Sequence, residues 1–387
     1  MNRLHPGPGR RVAAIVAAAA SLAGAFYATG APSVALAAPA SVFVYTGSGA
    51  LDEGYTKFGT AAGRPVAKNA VLPADLSPYA CVVLPINNVT FTAPQITEFS
   101  NYVNTGGTLV ALGERSTFTA ANANMNGLAT GLSSGMQIVD ADISGTSTNV
   151  VASAFTVGVT SYKYTNGAQL TVSAPGQVLV NNTGVGIQPP VIGAAVLGTG
   201  VFVLSGDSNA FSDNDVSAYT AASNGTLVAN LCAPRPTSTA VVCPNLNAGQ
   251  AATCTVTVTD TDAAGLKSAP SGTVSFASDS GGTFGNGGTC TLAATSTPGQ
   301  SSCTIPFTPG TSGNVTATYA GDVRHTGSSR QAAAAVTPAA VPTLPKAGAN
   351  AAGSIGTSGA VAVLILTLLG AAVATGAAVF RTRRARS

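Results

Sequence analysis

Residues 79–114 read YACVVLPINNVTFTAPQITEFSNYVNTGGTLVALGE, and the rest of the fold prediction is built outward from them. The stretch opens on an apolar run, CVVL at residues 81–84, and closes on another, TLVAL at residues 108–112. Between the runs, a Thr-Ala-Pro-Gln start and apolar residues at helical spacing predict a helix that ends at Gly106. Because continuous apolar runs suit strands buried on both faces, the stretch predicts a strand–helix–strand unit of a parallel sheet.

The flanking segments extend this unit to a predicted α/β domain over residues 41–233. VFVY at residues 42–45 predicts a preceding strand, GVFVLS at residues 200–205 predicts the closing strand, and residues 216–231 predict a final helix. Residues 136–196 are rich in strand and turn signals, and we predict that they form an insertion or an edge decoration.

Two segments, YACVVLPINN and APQITEFSNYVNTGGTLVALGE, resemble flavodoxin-like domains related to class I glutamine amidotransferases and to trehalose-utilisation-type proteins. For the enzymes among them, the resemblance implies a cysteine nucleophile on a turn after a central strand, with His and Glu partners. The matching turn, LGERS at residues 112–116, has no cysteine, and residues 41–233 contain no histidine. Since a nucleophile without a base to accept its proton is a poor catalyst, we predict no amidotransferase or peptidase activity.

The acidic residues of this domain that are candidates for a ligand or calcium site are Glu114, Asp207, Asp213 and Asp215. Glu114 and Asp207 are predicted at the carboxyl ends of strands, where ligands bind in open α/β sheets, so a carboxylate-only hydrolase is one hypothesis. The runs DSN at residues 207–209 and DND at residues 213–215 offer clustered oxygen ligands for Ca²⁺. The alternative is that these residues cap the next helix and form Asx-turns.

After residue 234 the pattern changes to the alternation typical of half-buried antiparallel strands, as in TCTVTVT at residues 253–259. Short runs separated by Gly, Pro and Asp predict a β-sandwich over residues 235–338. The segments PSGTVSF, CTL, SSCTIPFTP and VTATYAGDVRHTGSS resemble the bacterial Ig-like repeat of surface proteins and adhesins, which implies a stalk or adhesive module. Asp322 and His325 in this domain are either a site or, as we favour, the turn before the last strand.

Six cysteines predict disulfides if the chain is exported. The predicted pairs are Cys243–Cys254 and Cys290–Cys303. Cys81 and Cys232 remain, and the sequence leaves open whether they pair or whether Cys81 is a buried free thiol. Because no spacing is C-x-x-C and His325 is the sole histidine after residue 37, we predict no zinc site, and we predict no cofactor.

Both ends of the chain carry targeting signals. Residues 1–37 predict a signal peptide, with basic residues, an apolar stretch and the small-residue cleavage pattern ALA. Residues 355–380 are uncharged and predict a transmembrane helix, and the arginines of residues 381–387 predict a cytoplasmic tail.

A linker over residues 339–354 carries LPKAG, which resembles the Leu-Pro-any-Thr-Gly sorting signal of sortase substrates. Leu344, Pro345 and Gly348 match this pattern, whereas Ala347 stands where the family has Thr. The resemblance implies a sortase and the cell wall as partners. The alternative is a plain membrane anchor.

Net charge limits the class of partner. The chain carries +3, but seven of its 17 basic residues lie in the two predicted ends, so the predicted exported part has 10 basic and 14 acidic residues, about −4 (10 − 14). Phosphate neutralisation requires a basic face, so we predict no nucleic-acid partner.

Together these features predict a multidomain chain: an α/β flavodoxin-like domain, then an all-β Ig-like sandwich, with a signal peptide and a C-terminal transmembrane helix. We predict an exported bacterial protein on the cell surface, anchored in membrane or wall, that binds or adheres to an unknown glycan or protein or acts as a structural envelope component. The alternative is a surface hydrolase that uses the carboxylates of the α/β domain.

Overall fold

The structure is a computed structural model, and it describes residues 40–184, 188–244 and 246–338. We call residues 40–234 the N-terminal region and residues 235–338 the β-region. The strands of the N-terminal region are β1 (Val42–Tyr45), β2 (Val66–Asn69), β3 (Cys81–Leu84), β4 (Thr108–Leu112), β5 (Met136–Ser147), β6 (Tyr162–Val172), β7 (Gly176–Asn181), β8 (Pro190–Leu197) and β9 (Gly200–Ser205). Its helices are α1 (Thr56–Ala62), α2 (Ala93–Asn104), α3 (Thr119–Gly131), α4 (Val216–Thr220) and α5 (Asn224–Cys232), with 3-10 turns at Ser116–Phe118 and Ala154–Thr156.

A seven-stranded sheet of order β2-β1-β3-β4-β9-β8-β7 forms the centre of the N-terminal region. The first five strands in this order are parallel, whereas β8 and β7 are antiparallel to their neighbours. The long strands β5 and β6 pair with each other in a separate antiparallel sheet.

The predicted fold class, an α/β flavodoxin-like domain followed by an Ig-like sandwich and a C-terminal helix, is wrong. The described residues form twenty strands and five α-helices, and the longest helix has 13 residues. The error lies mainly in residues 136–196, which we predicted as an insertion or edge decoration. They form four strands, and two of these, β7 and β8, make the central sheet mixed rather than parallel.

The helix α2 shows how local sequence produces this architecture. The backbone N–H of Thr92 donates to Gln95 Oε1 at 2.8 Å, which completes the predicted capping box. Phe99 and Val103 lie on one face of the helix and are fully buried. Gly106 follows the helix at φ +105°, a conformation that residues with a Cβ rarely adopt, and the chain turns there into β4.

The inner strands β1, β3, β4 and β9 of the central sheet are buried on both faces because they are almost entirely apolar. Along β1, Val42 and Val44 point to a core shared with α1, α5 and β6, whereas Phe43 and Tyr45 point to a second core under α2 and α3. The period-two alternation of side chains therefore supplies two cores from one continuous apolar run.

The β-region contains eleven strands in its described residues. They are β10 (Thr237–Val242), β11 (Leu246–Asn247), β12 (Ala252–Asp260), β13 (Thr273–Ser278), β14 (Thr283–Phe284), β15 (Thr289–Thr291), β16 (Ala293–Ala294), β17 (Gln300–Thr308), β18 (Gly313–Gly321), β19 (Thr326–Ala334) and β20 (Val336–Thr337), with a 3-10 turn at Asn286–Gly288. One sheet has the order β10-β12-β17-β14 with β16 beside β17, and the other has the order β15-β13-β18-β19. Side chains from both sheets, among them Val256, Ile305 and Tyr319, form one core.

Three disulfides cross-link the described residues. The predicted pairs Cys243–Cys254 and Cys290–Cys303 are confirmed, and the second joins β15 of one sheet to β17 of the other. Cys81 pairs with Cys232, which settles the alternative that the sequence left open and ties β3 to the end of α5. Since such bonds form and persist in oxidising compartments, the protein is exported.

The predicted targeting and anchoring segments lie outside the described residues. They are the signal peptide (1–37), the linker with Leu344, Pro345, Ala347 and Gly348 (339–354), the transmembrane helix (355–380) and the basic tail (381–387). None of the helices in the described part of the chain has the length and apolar character needed to cross a membrane.

Candidate functional site

Two of the candidate carboxylates meet at the carboxyl edge of the central sheet. Glu114 follows β4 and Asp207 follows β9, and these two strands pair in parallel up to Leu112 and Ser205. Ser208, next to Asp207, donates its hydroxyl to Glu114 Oε2 at 2.8 Å. The sequence prediction therefore placed these two residues at one edge correctly.

Glu114 is held in place by its surroundings and is only 3% exposed. Its Oε1 accepts from the backbone N–H of Arg115 at 3.1 Å, and its own N–H donates to Asn122 Oδ1 at 3.0 Å. Asn122 on α3 also donates to the Glu114 carbonyl at 2.7 Å. Both the backbone and the side chain of Glu114 are thus fixed by internal partners.

Asp207 is 2% exposed and accepts from two backbone amides. The N–H of Thr165 donates to its Oδ2 at 2.6 Å, and the N–H of Asn209 donates to its Oδ1 at 2.9 Å. Thr165 lies on β6, so a segment that the sequence prediction treated as an insertion supplies the partner of this carboxyl. The carboxyl fastens β6 to the end of β9.

A third carboxylate, Glu53, belongs to this cluster and was missed in the sequence. Burial raises its pKa, and the charge of Glu114 raises it further. Its Oε2 is buried and accepts no hydrogen bond from any described residue. Glu53 lies in a loop between β1 and α1, and its only sequence signal is its position shortly after the carboxyl end of an apolar strand.

We call the three carboxyl groups Glu53, Glu114 and Asp207 the acidic cluster, and burial raises the pKa of each. Burial raises the pKa of Glu114, although the hydrogen bonds from Arg115 and Ser208 oppose it. Burial raises the pKa of Asp207 well above its ordinary value, and the charges of Glu114 and Glu53 add to this effect. Like charges in a poorly solvated site disfavour ionisation, so the cluster retains protons that free carboxylates would have lost.

Asp213 and Asp215 do not join the acidic cluster; they cap helices. Asp213 accepts from the N–H groups of Thr56 and Lys57 at 3.1 and 2.9 Å, at the start of α1. Asp215 is the N-cap of α4 and accepts from the N–H of Ser217 at 3.1 Å. The predicted capping of the next helix therefore describes Asp215, whereas Asp213 caps a helix that precedes it in the chain. No group of three or more His, Cys, Asp or Glu side chains within the described ranges is placed to hold a metal ion.

Asp322 and His325 lie in the β-region where it meets the N-terminal region. His325 is 4% exposed, and its Nδ1 lies 2.8 Å from Asp322 Oδ1. Its Nε2 lies 3.0 Å from Ser268 Oγ, 3.1 Å from the Ser268 carbonyl oxygen and 3.8 Å from Asp260 Oδ2. The three residue types and their order, Ser–His–Asp, are those of a hydrolytic triad.

Electrostatics argue against that role. Burial alone would lower the pKa of His325, but the hydrogen bonds and charges of Asp260 and Asp322 outweigh it and raise the pKa. The ring is therefore disposed to be imidazolium, with both nitrogens donating. An imidazolium cannot accept the proton of Ser268, so the arrangement binds the turn together, as the favoured interpretation of the sequence has it.

His325 belongs to a larger set of buried charges at this junction. Arg235 Nε donates to Asp260 Oδ2 at 2.6 Å, and the N–H of Ser268 donates to the same oxygen at 3.1 Å. The charges and hydrogen bonds of these neighbours hold the pKa of Asp260 well below its ordinary value against the effect of burial. These contacts join Arg235, which precedes β10, and Ser268, in the loop after β12, to the last residue of β12.

Comparisons with known proteins leave the family open. No family model matches this chain, and no curated protein matches it. Among solved structures, the mmIFT52 N-terminal domain matches with a TM-score of 0.41 at 13% identity, over 48% of this chain and 93% of that one.

Two further solved structures are similarly distant. The β-galactosidase from Rahnella sp. R3 matches with a TM-score of 0.36 at 13% identity, over 70% of this chain and 41% of that one, so the chain spans less than half of the enzyme. The cytoplasmic protein STM1381 from Salmonella typhimurium LT2 matches with a TM-score of 0.34 at 14% identity, over 49% of this chain and 97% of that one. Likenesses of this strength assign neither a family nor an activity.

Proposed function

We propose that this exported protein acts at the bacterial cell surface by binding a glycan or a protein, without catalysis. The observation that supports this proposal is the state of the acidic cluster. Glu114 and Asp207, the residues on which hydrolysis would depend, are 3% and 2% exposed, and their oxygens accept from internal donors. A carboxylate that must reach a substrate or activate a water needs an open face, and these two are used to join β4, β6 and β9.

The test is to present the full chain, purified in detergent, to arrays of glycans and extracellular matrix proteins, and in parallel to a panel of glycosides and esters. Selective binding without turnover is the expected outcome. Turnover of any glycoside or ester, with no binding on either array, would refute the proposal.

A surface hydrolase is the second candidate, and the raised pKa values of Glu53, Glu114 and Asp207 favour it, because a general acid needs a carboxyl that holds its proton near neutral pH. For this candidate to survive, Glu114→Gln and Asp207→Asn must each abolish turnover, while Asp52→Asn, on an exposed loop, must leave it unchanged. Equal turnover in all three variants would exclude the cluster as the catalytic group.

Attachment is part of the proposal. The chain would be held in the membrane by residues 355–380 or linked to the cell wall by a sortase acting at Ala347, so that the described regions face outward. The intact mass of the protein released from the envelope distinguishes these routes. A C-terminus at Ala347 that carries cell-wall material indicates sortase processing, whereas retention of Arg386 indicates a membrane anchor.

A further inference from the structure

The junction between the N-terminal region and the β-region contains a cleft of about 540 Å³. Residues of both regions line it, among them Thr105 and Thr199 on one side and Lys267, Ser268 and Arg324 on the other. The volume falls within the range of small-molecule sites in proteins. The lining is rich in hydroxyl groups, which donate and accept hydrogen bonds to a polar ligand.

Arg324 in this cleft has few partners for its guanidinium group. The contact of its Nη1 with the Thr105 carbonyl oxygen is 3.5 Å long, and its Nε is buried without a hydrogen-bond partner among the described residues. No carboxylate in the described part of the chain lies within ion-pair distance of it. A guanidinium has five N–H donors in a planar fork, so most of the capacity of Arg324 is unused.

The nearest acidic neighbour in sequence, Asp322, acts on Arg324 through its charge but forms no ion pair with the guanidinium, because its oxygens have other hydrogen-bond partners. They accept from the backbone and hydroxyl of Ser271 at 2.8 and 2.9 Å, from the N–H groups of Arg324 and His325 at 2.8 Å each, and from His325 Nδ1 at 2.8 Å. Asp322 therefore fixes the backbone of residues 322–325 and of Ser271, and it does not bind the side chain of Arg324.

Space for the guanidinium is provided by a glycine of the other region. A Cβ added at Gly106 would lie 2.5 Å from Arg324 Nη1, closer than such atoms approach in folded proteins. Gly106 thus allows the arginine to approach the end of α2, and the two regions together fix the position of one incompletely paired cation.

The junction carries a net positive charge, whereas the predicted exported part as a whole is acidic, at about −4. Its cations are Arg64, Arg235, Lys267 and Arg324, and its anions are Asp260, Asp262 and Asp322. With His325 left uncounted, the balance is one positive charge (4 − 3). A cleft lined by one sign of charge between low-dielectric walls focuses the electric field, and this field attracts a ligand of the opposite charge.

We propose that this cleft binds an acidic saccharide, a sugar that carries a carboxylate or phosphate group, with that group on Arg324. A guanidinium fork suits the paired oxygens of either group, and the surrounding hydroxyls suit those of a sugar ring. The inference rests on the proposed binding function and specifies the class of ligand.

Isothermal titration calorimetry of the full chain in detergent tests the inference with four probes: glucuronate, glucose 6-phosphate, glucose and inorganic phosphate. We expect at least one acidic sugar to bind at least tenfold more tightly than either glucose or phosphate alone. Failure of both acidic sugars to bind, or equal binding of glucose, would overturn the inference. Equal binding of inorganic phosphate would overturn its saccharide part.

Variants then locate the site. Arg324→Gln should weaken binding of the acidic sugar at least tenfold, whereas Arg330→Gln, on the exposed face of β19, should leave it unchanged. Arg324→Lys keeps the charge without the fork and should give an intermediate affinity, which keeps the test usable if the Gln variant does not fold. Unchanged affinity in Arg324→Lys and in Arg324→Gln would place the ligand elsewhere.

The outcome is separable from that of the proposed function. If the arrays show selective binding of a neutral glycan or a protein and Arg324→Gln does not affect it, the proposed function stands and the acidic-saccharide inference is refuted.

Discussion

The acidic cluster of the N-terminal region and the charged junction of the β-region bury carboxyl groups with opposite results. In the cluster, burial and neighbouring carboxyls raise the pKa of Glu114 and Asp207. At the junction, Arg235 and His325 hold the pKa of Asp260 below its ordinary value although Asp260 is also buried. Burial alone therefore does not set the ionisation of an acid; the charge of its neighbours decides the direction.

The difference extends to stability. The cluster favours protonated carboxyls, so its acids stabilise the fold most at low pH and destabilise it as pH rises from their unfolded toward their folded pKa. The junction favours ionised carboxylates, so its contribution is present above their unfolded pKa and is lost as pH falls toward the folded pKa. The contributions of the cluster and of the junction to stability therefore change in opposite directions with pH.

The largest expected effect concerns the cross-links of the two regions. Removing Cys81–Cys232 by a double alanine substitution releases a constraint on 151 residues, and it should lower the free energy of unfolding by about 5 kcal/mol. The matched removal of Cys243–Cys254, which spans 11 residues, should cost about 3 kcal/mol. Urea unfolding of the full chain in detergent measures both. Equal losses would mean that loop length does not control these contributions.

Breaking the buried pair at the junction comes next. Asp260→Asn removes the carboxylate that lies 2.6 Å from Arg235 Nε and leaves Arg235 with Asp262 at 3.6 Å, so it should reduce stability by about 3 kcal/mol. Asp52→Asn serves as the control, because the Asp52–Lys68 pair is exposed and should contribute less than about 1 kcal/mol. The contrast between the regions would be weakened if both substitutions had the same effect.

A smaller effect is expected from neutralising the acidic cluster. Asp207→Asn removes the titrating group together with one of its two acceptor oxygens, so its stability relative to the wild type should be higher at pH 8 than at pH 4, where the wild-type carboxyl is protonated and stabilising. Chemical unfolding at the two pH values provides the measurement. An equal difference from the wild type at the two pH values would show that folding does not raise the pKa of Asp207.

The smallest effect belongs to His325, whose folded pKa lies above its ordinary value. The stability that it contributes is fully present below the unfolded pKa of about 6.5 and is lost as pH rises through the folded pKa. The wild-type chain should therefore lose this contribution as pH rises above 6.5, and His325→Gln should show a flatter profile of stability against pH. Parallel profiles would indicate a neutral ring.

Local signals in the sequence predicted the features that depend on near neighbours. The capping box of α2, the strands β3 and β4, the pairs Cys243–Cys254 and Cys290–Cys303, and the position of Glu114 and Asp207 at the carboxyl ends of strands all follow from short-range pattern. The distance between Glu114 and Asp207 could not be predicted.

Contacts between distant segments could not be read in the same way. The addition of β7 and β8 to the central sheet, the approach of Glu53 to Glu114, and the insertion of Arg324 beside Gly106 each join residues that no local pattern relates. Strand and turn signals in residues 136–196 indicated strands but not their partners, and this is why the predicted fold class was wrong.

The disulfide between Cys81 and Cys232 has a mechanical consequence. If the chain is anchored beyond residue 338 and its N-terminal region is pulled away from the anchor, tension enters that region through the end of α5. Unravelling can proceed backward along the chain only as far as Cys232, where the covalent bond transfers the load to β3. That strand lies inside the central sheet between β1 and β4, so a pull on the anchor would be borne by the sheet rather than by the last helix.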